Sequence, residues 1–224
     1  MAAVSFTNDL ELFQMMKEKL YAAVLCDALD RVGMHDQAMR ADIRPVYPEA
    51  VVVGRALTVL SVDVYEIVEE PYALEIEAVD SLKPGEVMVA STGRSSRTCF
   101  WGELLSTAAR ARGAHGAVID GYTRDVKKIT AMPFPVFSTG MKPVDSNGRG
   151  LVMDYNCPIN CGDVIVKPGD IVFGDIDGII VIPRQVESEV IERAVEKVEG
   201  ENRTRDELQR GLYLKDVYAK YGVL

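Results

Sequence analysis

The stretch GAVIDGYTRDVKKI, residues 116–129, decides how this chain is read. Its apolar run, Ala117 to Ile119, has the length and composition of a buried strand. The run climbs into Asp120-Gly121, and Arg124 and Asp125 then stand side by side where the strand ends. Upstream, FWGELLSTAARARG (100–113) reads as a helix stopped by Gly113. Downstream, VKKITAM (126–132) reads as a short helix before Pro133, and PVFS (135–138) as a further strand.

The alternation extends outward. EVMVAS (86–91) is a strand, PYALEIEAVDSL (71–82) a helix, and AVVVGRALTVLSVDV (50–64) a β-branched strand interrupted at Gly54. Asn8 caps a helix over roughly 9–20, and YAAVLCDALDRVG (21–33) forms a second helix ended by Gly33. Residues 34–50, with Pro45 and Pro48, read as an extended loop. Between 157 and 183 the texture changes to three short apolar runs split by Gly-Asp and Pro-Gly-Asp turns, a β-rich meander. In GDIDG (174–178) the glycines are expected to supply positive φ at tight turns. Residues 185–210 form a long charged helical stretch with Gly200 as a candidate break, followed by an apolar-ended tail. Strand–helix alternation predicts an α/β layer fold. One domain spans 1–224, with N-terminal helices over 1–33 and a C-terminal helical extension over 185–224.

Composition narrows the function classes. A chain that is 48% hydrophobic and 26% charged is an ordinary globular protein. Its net charge of -9 disfavours nucleic acid or an anionic membrane as a general partner. No apolar run has the length of a membrane span, and MAAVSFTNDLELF lacks the basic-then-apolar order of a secretory signal. Cys26, Cys99, Cys157 and Cys161 form no CxxC pair, and free thiols fit a reducing compartment. These features lead to the expectation of a cytoplasmic protein.

The chemistry gathers around the opening stretch. Gly102 opens a helix, whose first turn leaves backbone N–H groups unpaired at the positive end of the helix dipole. A small carboxylate fits there. Arg124 offers a planar fork to a carboxylate or an oxyanion, and Asp125 offers hard oxygen to Mg²⁺ or Mn²⁺. Together these parts suit a 2-oxo acid. Taken alone, Arg124-Asp125 equally fits a salt-bridged strand end.

The run of motifs WGELL, GAVIDGYTRDV, FPVF and PGDIVFGDIDGIIVIP resembles the RraA-like family, with the likeness extending from Cys26 to Pro183. That family includes metal-dependent 4-hydroxy-4-methyl-2-oxoglutarate / 4-carboxy-4-hydroxy-2-oxoadipate aldolases and the regulator of ribonuclease E activity. The resemblance implies an α/β/α sandwich with swivelling β/β/α character, assembled as a trimer or hexamer with sites between subunits. It implies substrate binding by the backbone of Gly102, Glu103, Leu104 and Leu105. It further implies that Arg124 contacts substrate and Asp125 holds Mg²⁺ or Mn²⁺, as the catalytic pair of a pyruvate-releasing retro-aldol lyase. Oxaloacetate decarboxylation would pass through the same enolate.

The aldolase motif has an acid where this chain has Lys128, which repels a cation. The alternatives that remain are a regulatory binding protein and a sugar-acid lyase or decarboxylase on the same scaffold. Glu199 or Glu201 in the tail is a candidate to reach a neighbouring site. Arg94 and Arg97 are candidates for a second substrate carboxylate, against a flexible polar loop. His115 reads as a surface loop histidine, Trp101 as packing or pocket wall, Cys99 as inert and Asp27 as structural.

Overall fold

In a fully buried strand, successive side chains must satisfy two different cores, and the central strands of this chain do so. Val87, Val89 and Val118 point into one cluster, while Met88, Ala90, Ala117 and Ile119 point into another on the opposite face. The structure is a computed structural model that describes residues 8–223. The N-terminal segment and the C-terminal residue of the expected 1–224 domain lie outside the described residues.

The elements in chain order are α1 (Asp9–Lys19), α2 (Ala22–Arg31), β1 (Arg44–Pro45), β2 (Val52–Asp63), α3 (Ala73–Asp80), β3 (Glu86–Ser91) and β4 (Cys99–Trp101). Then come α4 (Glu103–Ala111), β5 (Gly116–Thr123), α5 (Val126–Ile129), β6 (Val136–Met141), β7 (Gly150–Tyr155), β8 (Ile159–Cys161) and β9 (Val164–Val166). The chain closes with β10 (Ile171–Asp175), β11 (Gly178–Ile182), α6 (Glu187–Gln209) and α7 (Leu214–Tyr221).

The main sheet runs β1-β6-β5-β3-β2-β10-β11, with β4 added on β5 and β7 on β2. Pairings among β2, β3, β5 and β6 are parallel, and β4 also joins β5 in parallel. Helices α3, α4 and α5 cover one face. The small antiparallel sheet β8-β9 contributes Ile159, Cys161, Val164 and Val166 to the cluster on the other face. A third cluster packs α1, α2 and α6 against β10 and β11. The fold is the expected α/β type with a C-terminal helical extension.

Four local expectations are corrected. Gly54 does not interrupt β2; it lets the strand pass β3's entry turn, where an added Cβ would lie 2.3 Å from the Gly85 carbonyl oxygen. Gly174 sits within β10, and of the two GDIDG glycines only Gly178 takes positive φ, at 144°. Gly200 does not break α6: the helix runs continuously through that buried position. The helix expected from residue 100 begins at Glu103, because Phe100 and Trp101 belong to β4.

Candidate active site

The C-terminal edges of parallel strands are where α/β sheets place ligands, and β5 delivers Arg124 and Asp125 at that edge. Asp125 caps α5 in the left-handed region, at φ 58° and ψ 26°. A non-glycine residue there costs roughly 1–2 kcal/mol, and aspartate is among the side chains that tolerate it. This backbone turns the Asp125 carboxylate toward α4. Asp125 Oδ2 accepts the Glu103 amide at 3.3 Å and lies 3.8 Å from Arg124 Nε.

Gly102 is the N-cap of α4, and its missing side chain is what permits this approach. A Cβ there would stand 3.0 Å from Asp125 Oδ2 and 3.3 Å from Arg124 Cγ. The Glu103 amide is therefore already engaged by Asp125. The next two amides of the first turn, those of Leu104 and Leu105, have no helical acceptor. Trp101 is buried beneath this corner and donates from Nε1 to Ser106 Oγ at 2.8 Å, fixing the strand-to-helix turn.

A cavity of about 310 Å³ opens here, lined by Gly102, Leu104, Leu105, Arg124 and Asp125 among others. The same two charged residues wall a second depression of about 340 Å³ on the Met141 and Lys142 side. A larger hollow of about 370 Å³ lies elsewhere, beside Phe13 and His115. It gathers no comparable chemistry: His115 Nδ1 is 2.8 Å from the Val53 carbonyl oxygen, and its ring packs edge-on against Phe13.

Three further residues of the Arg124 cavity were not singled out from the sequence: Tyr72, Glu75 and Asp145. Arg124 Nη2 is 3.2 Å from Asp145 Oδ1, and the Tyr72 hydroxyl donates to Asp145 Oδ2. Burial alone would raise the Asp145 carboxyl. The Tyr72 hydroxyl, the amides of Ser146 and Asn147 and the Arg124 charge nevertheless hold it below the usual carboxylate range. The hydrogen bond to Asp145, together with burial, lifts the Tyr72 phenol to about 12.

Glu75 goes the other way. Burial, aided by the Asp145 charge and opposed by Arg124, raises its carboxyl to about 7. It is only 8% exposed, and no hydrogen bond or ion pair joins its carboxyl to any described residue. Burial likewise pushes the Cys99 thiol to about 12, as expected of an inert thiol.

Other sequence candidates fall outside this corner. Arg94 pairs with Asp163, and Arg97 stacks 3.9 Å above the Tyr65 ring, so neither lines the Arg124 cavity. Asp27 is ion-paired with Lys197. Glu201 accepts the Tyr21 hydroxyl and lies 3.8 Å from Lys197 within its own subunit. Lys128 Nζ sits 3.6 Å from Glu103 Oε2, giving the acid that opens α4 a cationic neighbour.

Among the described residues no group of three or more His, Cys, Asp or Glu side chains is arranged to hold a metal. Asp145 is committed to Arg124 and Tyr72, and Glu103 lies beside Lys128; of the remaining carboxyls, Glu75 and Asp125, it is Asp125 that stands at the strand end beside the α4 amide. One hard oxygen donor fits Mg²⁺ or Mn²⁺, which take few protein ligands and keep several waters. No described helix is long and apolar enough to cross a membrane.

The chain is similar to known proteins over most of its length. Residues 22–181 match the RraA-like family model, described as Aldolase/RraA. A Halalkalibacterium halodurans protein named "Putative 4-hydroxy-4-methyl-2-oxoglutarate aldolase" is 31% identical over 77% of this chain and 77% of its own. Streptomyces coelicolor RraAS2, described as an unusual member of the RNase ES inhibitor RraA family, superposes with a TM-score of 0.78. It is 25% identical and aligns over 90% of this chain and 98% of its own. A structure described as a novel cellulase from gut-associated microbes superposes at 0.83, with 31% identity over 91% of each chain. With most of its length matched by the family model, the chain belongs to the RraA-like family.

Proposed function

We propose that this protein is a divalent-metal-dependent carbon–carbon lyase that cleaves a small 4-hydroxy-2-oxo acid to pyruvate and a second carbonyl product. The observation that carries this reading is convergence: the α4 N-terminus, Arg124 and Asp125 border one cavity of about 310 Å³. That volume suits a single small acid rather than a stretch of polysaccharide. The names of aldolase relatives point the same way.

In this reading the substrate carboxylate lies at the amides of Leu104 and Leu105, where the helix dipole favours an anion. The Arg124 fork faces the 2-oxo oxygen and stabilises the charge that develops there as the C3–C4 bond breaks. Asp145 and Tyr72 hold the guanidinium in place. Asp125 would hold Mg²⁺ or Mn²⁺; when bound, the cation supplies Lewis-acid polarisation of the keto oxygen. Trp101, Phe100 and Leu105 form an apolar part of the cavity wall. Oxaloacetate decarboxylation draws on the same stabilisation of a pyruvate enolate.

Ile76 and Leu104 line the cavity yet are 54% and 76% exposed. Apolar side chains so placed suit cover by a second copy of the chain, in keeping with a homo-oligomer. The test is pyruvate release from a panel of 4-hydroxy-2-oxo diacids and oxaloacetate, with and without EDTA. Recovery of a ribonuclease by pull-down, with no pyruvate from any substrate, would replace this reading with a regulatory one.

A further inference from the structure

Helix α3 buries Glu75, Ala78 and Val79, which at spacings of three and four lie on one face of a helix. Packing alone would place an apolar residue at the first of these positions. A carboxyl there loses much of its hydration, and no described residue offers its side chain a hydrogen bond in return. Glu75 instead lines the Arg124 cavity, together with Tyr72 and Asp145. The other titratable groups lining this cavity are Tyr72 at the N-cap of α3, Asp145 on the loop after β6, Arg124 and Asp125 at the end of β5, and Cys99 on β4. Tyr72, Asp145 and Arg124 are tied to one another and Cys99 is a buried thiol. Glu75 is the cavity's unpartnered acid.

We propose that Glu75 is the proton carrier of the cleavage reaction, taking the proton from the substrate's 4-hydroxyl and returning it to C3. This rests on the lyase reading above and adds the acid–base group that reading lacks. The Glu75 carboxylate accepts the hydroxyl proton, and the freed oxygen pair forms the new C4 carbonyl. The C3–C4 bond breaks, and its electron pair moves into the C2–C3 bond as charge develops on the 2-oxo oxygen facing Arg124. Protonated Glu75 then delivers the same proton to C3. This yields the pyruvate methyl group and restores the carboxylate, so no oxidant, reductant or external acid is consumed. The raised proton affinity of Glu75, near neutrality, matches what a group must have to take and return a proton at physiological pH.

The experiment is exchange of pyruvate methyl protons with deuterium, followed by NMR with Mg²⁺ present, alongside steady-state cleavage. Wild-type protein is expected to exchange and cleave. Glu75→Gln, nearly isosteric, is expected to lose about 10²–10⁴-fold in both rates with KM little changed, and Glu75→Asp to recover part of the loss. Exchange by Glu75→Gln within a few-fold of wild type overturns the assignment while leaving the lyase reading intact. Absence of exchange and cleavage in the wild type overturns both. Should Glu75→Gln fail to fold, the pH profile decides. Asp145→Asn removes a charge that raises Glu75, so the profile's neutral limb should move to lower pH. An unmoved limb overturns the assignment.

Discussion

Lys128 Nζ lies 3.6 Å from Glu103 Oε2, bridging the short helix that follows Asp125 to the first turn of α4. The lysine side chain is 71% exposed, so the pair is worth at most about 1 kcal/mol to stability. Its other effect is electrostatic, because it puts a positive charge three residues along from Asp125, the carboxylate proposed to hold the metal. Lys128→Ala is therefore expected to leave the melting temperature within a few degrees of wild type and to tighten Mn²⁺ binding several-fold by calorimetry. Weakened binding would show that the lysine supports the site rather than opposing it.

Gly102 leaves the space that Asp125 occupies. Its φ of -152° is open to alanine, so the backbone tolerates the change. The added Cβ, however, would press on Asp125 Oδ2 from 3.0 Å and on Arg124 Nε from 3.4 Å. Gly102→Ala is expected to lower kcat/KM by at least about tenfold, equivalent to about 1.4 kcal/mol. Thermal stability should fall by only roughly 1 kcal/mol. Unchanged kinetics would mean that the pair need not stand where it is seen.

The buried acid on α3 carries a pH signature of its own. Its carboxyl ordinarily titrates at 4.5 and is raised to about 7 in the fold. The native state therefore holds the proton more tightly than the unfolded chain does. The stabilising contribution is fully present below 4.5 and is lost as pH climbs through 7. Glu75→Gln should accordingly gain stability over wild type between pH 5 and pH 8, by on the order of 3 kcal/mol at most. Urea melts at the two pH values measure this. A stability difference that does not change with pH would show that the carboxyl is not held in its neutral form. A substitution that stabilises the fold while removing activity is the mark of a group kept for chemistry.

Much of this architecture could be read in advance because its signals are local. The runs at 86–91 and 117–120 are too apolar for any surface position, and both lie in central parallel strands. Gly102 as a helix opener, with Arg124 and Asp125 at a strand end, was visible for the same reason. What stayed hidden depends on distance in the chain. Phe100 and Trp101 read as a helix start because the three-residue β4 to which they belong is too short to show a period. Residues 150–155 were not read as a strand: only Gly150 and Val152 of β7 are buried, and its apolar Met153 is 52% exposed, so apolar character and burial do not alternate together. Asp145 reads as a loop acid until the fold carries it to Arg124. Glu75 could not be told from its helical neighbour Glu77 without knowing which side of α3 meets the core. The spacing of Glu75 with Ala78 and Val79 was the available clue. In the tail, Glu201, a candidate acid for a neighbouring site, contacts Tyr21 and Lys197 of its own chain.

The central claim is that the Arg124–Asp125 corner performs lyase chemistry, and paired variants in one assay address it most directly. Asp125→Asn is the suitable partner to Arg124→Ala, because asparagine also accepts the left-handed backbone seen at φ 58°. Pyruvate release from a 4-hydroxy-2-oxo diacid should be abolished by EDTA and restored by Mg²⁺ in the wild type. It should be lost in both variants, each with an unchanged circular dichroism spectrum. Undiminished pyruvate release by either folded variant would contradict the account.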